Sequence, residues 1–179
     1  MLRSFTIADM EGIIAGRTAS DMPGLDIAEQ RSWQYFLDSA LRLYATLNRS
    51  LLDAHHLTLN DVRLLDFLDK SASGSSRMGD LADGLMSLPS RVTRQIRRLE
   101  LQGLVRRGAS PDDGRGVLAT ITDEGRTAVR EAMATYGEGV RLHFLGRLSR
   151  PQISAMGENC RRISVALKAA EAPAKLGRV

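Results

Sequence analysis

Apolar residues recur at helical spacing through most of the chain, and that period breaks once. Trp33, Phe36, Leu37, Ala40, Leu41, Tyr44, Leu47 and Leu51 form one broad stripe. It predicts a long helix running roughly to His55, with a face wide enough to need more than one neighbour. Asp26 followed by Glu29 resembles a capping box, with aspartate in place of serine or threonine, and marks the start of that helix. A second helix begins with Thr58 as its cap and Asp61 in its first turn, and carries Val62, Leu65 and Leu68 inward. Residues 71–76, SASGSS, read as a loop. Met78, Leu81, Ala82 and Leu85 then define a short third helix. After a turn at Met86 and Ser87 a fourth helix starts, with Pro89 in its first turn, where a missing N–H does no harm. Its inner face is Val92, Ile96 and Leu99, and Gly103 terminates it.

Beyond Gly103 the pattern becomes that of short strands, over residues 104–107 and 117–121. The turn-rich residues 108–116, GASPDDGRG, form the hairpin loop between them. Thr122 caps a long fifth helix over residues 123–148. Ser149 and Gln152 form a capping box for the last helix, with Ile153, Met156, Cys160, Ile163 and Leu167 along one side. Residues 1–25 are an extension in which Ile7, Met10, Ile13 and Ile14 have helical spacing, and Pro23-Gly24 punctuates its end. Three compact helices followed by a two-stranded ribbon describe a winged helix-turn-helix. The fold class is therefore mainly α with a small β-hairpin wing.

Composition narrows the function classes. A chain of 179 residues that is 43% hydrophobic can bury a sizeable core, which excludes a disordered polyelectrolyte. The single cysteine, Cys160, excludes an intramolecular disulfide scaffold and a multi-cysteine zinc ribbon. Its place on the apolar stripe of the last helix predicts a buried structural thiol. No apolar stretch approaches the roughly 18–20 residues of a membrane span. Asp9 and Glu11 make the N-terminus a poor signal peptide, so the expected address is the cytoplasm. His55 and His56 are adjacent and point to different helix faces, and His143 lies far along the chain. No catalytic constellation can be assembled from these residues, and no metal or cofactor site is expected.

Charge adds a location. The net charge is +4, yet residues 87–107 alone hold six arginines and one acid, Glu100, which gives +5 and leaves −1 for the rest. A charge run is usually a solvated helix face. The sharper reading is an electrostatic footprint for phosphate. With Val92, Ile96 and Leu99 turned inward, the opposite stripe of the fourth helix reads Arg91, Arg94, Gln95 and Arg98, flanked by Ser90, Thr93 and Arg97. Long donors on one face and a short apolar anchor on the other suit a helix that reaches base edges. Its first turn also offers free backbone N–H groups to phosphate. Glu100 alone offers an acid at helical spacing, so the cluster repels itself and favours an anionic partner.

Three segments carry a family resemblance. RVTRQIRRLELQGLVRR (residues 91–107) and DDGRGVLATITDEG (residues 112–125) are similar to the recognition helix and wing of the MarR (multiple antibiotic resistance regulator) family. LTLNDVRLLDFL, residues 57–68, resembles the helix that precedes the family's DNA-binding helices. The resemblance covers roughly residues 30–170 in order and spacing. It implies a winged helix-turn-helix DNA-binding lobe over residues 57–122. Around the lobe it implies a helical dimerisation region from residues 26–56 and 123–171, with 1–25 as an extension and 172–179 as a tail. Those flanking helices also carry more apolar surface than one small domain can cover.

The implied protein is a homodimeric, sequence-specific transcriptional regulator, more often a repressor, on double-stranded DNA with a pseudo-palindromic operator. Ser90, Arg91, Thr93, Arg94 and Arg98 are the implied major-groove contacts. By the same likeness Arg115 at the wing tip enters the minor groove and Asp113 orients it through a salt bridge. Many members have a second arginine between that aspartate and arginine; here the position is Gly114, which removes a phosphate contact. The resemblance further implies release by a small-molecule effector, often an aromatic or phenolic anion. Trp33, Arg42, Tyr44 and His55 are chemically suited to one, although dimer core is the simpler role for Trp33 and Tyr44. The alternative is a sequence-tolerant architectural DNA-binding protein.

Overall fold

The helix starts at Asp26, Thr58 and Thr122 are built by side chains that bond the first free backbone amides. The computed structural model describes residues 22–71, 73–109 and 116–175, the last five by their backbone alone. The elements run α1 (Ile27–His55), α2 (Leu59–Lys70), β1 (Ser75–Arg77), α3 (Met78–Gly84), α4 (Pro89–Leu101), β2 (Val105–Ala109), β3 (Val117–Ile121), α5 (Asp123–His143) and α6 (Arg150–Lys175). A single 3-10 turn, Leu145–Arg147, separates α5 from α6. The helical spacing expected over residues 1–21 lies outside the described residues.

The chain divides into two compact units, meeting between Arg49 and Ser50 within α1. In the first, the expected capping box is present: the amide of Glu29 donates to Asp26 Oδ1 and the amide of Asp26 donates to Glu29 Oε2, each at 2.9 Å. Gln30 Nε2 donates to the Leu25 carbonyl at 2.9 Å and secures the preceding turn. Ile27, Trp33, Tyr35, Phe36, Leu37 and Tyr44 are exposed in this single chain.

The second unit holds the core. Leu51, Leu64, Leu65, Leu68, Leu81, Val92, Ile96 and Leu99 are fully buried, with Val105, Ala119, Ile121, Val129 and Ala132 around them. The inner face of α4 is therefore Val92, Ile96 and Leu99, as the spacing implied. Burial of each such side chain contributes about 1.5–3 kcal/mol, which fixes which face of α4 is left for solvent. The capping box of α2 is closed by Thr58 and Asp61. At α5, Thr122 joins three elements: its amide donates to the Leu104 carbonyl at 3.1 Å, its hydroxyl donates to the Gly103 carbonyl at 2.8 Å, and its Oγ1 accepts from the Gly125 amide at 3.0 Å.

Three expectations are corrected. Residues 71–76 are not loop throughout, because Ser75–Arg77 pairs with β3 and makes the sheet three-stranded, in the order β1-β3-β2, antiparallel at both contacts. That strand has no apolar alternation to betray it. Its pairing rests on backbone bonds and on the Ser75 and Thr120 hydroxyls, 2.8 Å apart. Gly74, at φ +65°, makes the turn into it. The fifth helix stops at His143 and not 148, since Phe144 leaves helical geometry and a 3-10 turn follows. Cys160 is exposed and not buried. Ile163 and Leu167 on the same helix are exposed too, so the described residues of one chain do not cover that stripe. No helix among the described residues is long and apolar enough to cross a membrane.

Candidate nucleic-acid interface

The solvent side of α4 begins at an uncapped end. Leu88 is its N-cap and makes no side-chain cap bond, Pro89 follows at the first helical position, and the first turn holds no acid. Leucine is among the poorest caps, costing about 1 kcal/mol against serine or aspartate. The Ser90 side chain is exposed at this end. A positive helix end without its own carboxylate is suited to an anion from outside.

Arg91, Arg94 and Arg97 follow on the exposed face. Among the described residues Arg91 and Arg94 make no ion pair. Thr93 is half-buried and its hydroxyl donates to the Pro89 carbonyl at 2.9 Å, which leaves its methyl and its acceptor lone pairs for a partner. Arg98 is placed differently from the other arginines. Its guanidinium pairs with Asp61, whose side chain is 0% exposed, while Arg98 itself remains 46% exposed. Asp61 Oδ1 also accepts from Gln95 Nε2 at 3.0 Å. On its other oxygen, Oδ2 accepts from the Thr58 amide at 2.8 Å and the Thr58 hydroxyl at 2.6 Å. Thr58, Asn60, Asp61, Arg91, Arg94, Gln95 and Arg98 line a groove of about 290 Å³.

Asp61 was expected only as a helix-start residue. Glu100 remains the one acid at helical spacing, but Asp61, from α2, neutralises Arg98 and corrects the expectation that the cluster goes unneutralised. Glu100 itself turns to Arg107: Arg107 Nε donates to Glu100 Oε2 at 2.7 Å and the Arg107 amide donates to Oε1 at 3.3 Å. The bond from Arg107 is the main reason the Glu100 carboxyl titrates below its ordinary 4.5, with the nearby charges of Arg107 and Arg97 adding to it. This depressed value stabilises the fold above pH 4.5, and the contribution is lost as pH falls through the folded value. Glu100→Gln is expected to melt slightly below wild type at pH 7 and level with it near pH 3, which parallel thermal melts would check. A gap independent of pH would show that the ion pair contributes nothing.

Asp113 and Arg115 lie outside the described residues, within 110–115. The strands that flank them are in place: Ala109 pairs with Val117 at the outer end of the hairpin. A second cavity, of about 360 Å³, is lined by His55, His56, Leu57, Gln102, Leu104 and Glu131 among others. There His55 Nε2 lies 2.7 Å from Thr135 Oγ1. Trp33, Arg42 and Tyr44 belong to the first unit. No group of three or more His, Cys, Asp or Glu residues among the described residues is placed to hold a metal ion.

The sequence profile of the MarR family matches residues 55–116. No curated protein matches the chain. Among solved structures, AbsC, a MarR family transcriptional regulator from Streptomyces coelicolor, is 30% identical, with a TM-score of 0.76 over 83% of this chain and 99% of that one. Sco3205, a MarR family regulator of the same organism solved in complex with DNA, is 31% identical, with a TM-score of 0.76 over 80% of this chain and 93% of its own. Sco5413, a third from that organism, is 25% identical with a TM-score of 0.69 over 80% of this chain and 98% of that one. With two relatives at 30% identity or above matched over nearly their whole length, a winged-helix fold and a family profile that spans α4, the chain belongs to the MarR family of transcriptional regulators.

Proposed function

We propose that the chain binds double-stranded DNA sequence-specifically as a homodimer and acts as a repressor released by a small-molecule effector. The observation that carries this reading is the outer face of α4. Arg91 and Arg94 are exposed on it without internal partners among the described residues, and its N-terminus is uncapped. Ser90, Arg91, Thr93, Arg94 and Arg98 are assigned to the major groove, Arg115 to the minor groove, and Asp113 to holding Arg115. The relative solved with DNA supports the partner class. Exposed apolar residues on α1 and α6 support self-association through those helices. The 360 Å³ cavity is of a size that takes a small organic molecule.

Selection of bound duplexes from a random pool tests sequence specificity directly. A palindromic consensus with two half-sites about one helical turn apart is the expected result. Uniform recovery of all sequences would identify a sequence-tolerant architectural protein instead. On the selected duplex, Arg115→Ala is expected to weaken binding about tenfold while sedimentation still reports a dimer. Unchanged affinity at fixed salt would remove the wing from the interface.

A further inference from the structure

Asp61 has more partners than a helix start requires. Its Oδ2, with Thr58, already closes the capping box of α2. Its Oδ1 faces the reading helix and holds Gln95 Nε2 and the Arg98 guanidinium. An ionised carboxylate accepts hydrogen bonds and donates none. A glutamine amide beside it therefore has one favourable flip, with the NH2 group inward and the carbonyl oxygen on the other branch. Among the described residues that oxygen has no hydrogen-bond partner. It lies on a side chain that lines the same groove as Arg91 and Arg94. A free glutamine can rotate to meet either a donor or an acceptor; this one is already committed, and no rotamer entropy is lost when it docks.

We propose that Asp61 is a positioning residue and Gln95 a specificity-determining one, presenting its carbonyl oxygen to an exocyclic amino group in the major groove. Adenine N6 and cytosine N4 carry that donor, whereas guanine O6 and thymine O4 present acceptors there. Arg91 and Arg94 supply only donors, and Gln95 adds an acceptor to the same face of α4. This inference rests on the proposed reading of DNA by α4.

The test compares wild type, Q95M and D61N on the selected duplex and on duplexes substituted one base pair at a time. Methionine keeps the length of glutamine without its hydrogen bonds. Asparagine keeps the shape of aspartate but can donate as well as accept, which releases the flip of Gln95. Wild type is expected to favour adenine or cytosine at one position of each half-site by about fivefold. Q95M and D61N are both expected to lose that preference at that position. Q95M removes no buried charge, so the test stands whether or not D61N folds. A D61N protein weakened equally on every duplex, with the preference intact, would reduce Asp61 to a helix cap. A Q95M protein that keeps the preference would overturn the role of Gln95. A wild type with no preferred duplex would overturn the DNA-reading function itself, an outcome separate from these two.

Discussion

Arg94→Ala is expected to weaken binding to the selected duplex by about 30-fold or more, with no loss of fold. Loss of an arginine that contacts a base edge costs about 1–3 kcal/mol, and a homodimer loses two. The side chain is exposed and has no internal ion pair among the described residues, so its removal leaves no buried group unsatisfied. Surface changes of that kind move stability by about 0.5 kcal/mol or less, or about 2 °C in Tm. Anisotropy titrations at several salt concentrations, beside thermal melts, check both halves. A salt slope lower by about one per protomer would assign Arg94 to phosphate, and an unchanged slope with relaxed specificity would assign it to a base. Affinity within twofold of wild type would remove Arg94 from the interface. Arg98→Ala should behave differently, lowering Tm as well as affinity, because Asp61 would lose its cationic partner.

The second large effect is on stability. Gly125→Ala is expected to cost about 3 kcal/mol, or roughly 6–12 °C in Tm, in the first turn of α5. An added Cβ would fall inside the van der Waals contact distance of the Leu104 carbonyl oxygen and 2.8 Å from Ile121 Cγ1. The first obstacle is backbone and cannot rotate away. Gly137, on the same helix, has open space around it, and alanine there should raise stability by about 0.5–1 kcal/mol. Equal Tm changes at the two sites would show that packing at Gly125 is not the constraint.

What the sequence disclosed follows the range of the interactions involved. The caps at Asp26, Thr58 and Thr122 bond residues three positions on, and the inner face of α4 repeats at three and four, so a linear pattern carries both. β1 was missed because Ser75, Ser76 and Arg77 have neither apolar alternation nor length, and become a strand only when Thr120 and its neighbours lie alongside. The Asp61 clamp was missed for a related reason. Arg98 lies 37 positions away, and only the tertiary fold brings the two together. Local reading therefore found the arginines of α4 but took Arg98, which Asp61 holds, for one that is free.

The joint at Thr122 carries a mechanical consequence. One residue bonds the end of α4, the carbonyl that precedes β2 and the first turn of α5. The 360 Å³ cavity touches both sides of it, through Gln102 and Leu104 on one and Ala128 on the other. A rotation of α5 would pull on those bonds and, through them, on the end of α4. A molecule wedged into the cavity would act as a spanner on that joint. Its signature would be faster deuterium exchange at the Gly125 amide before any change reached the arginines.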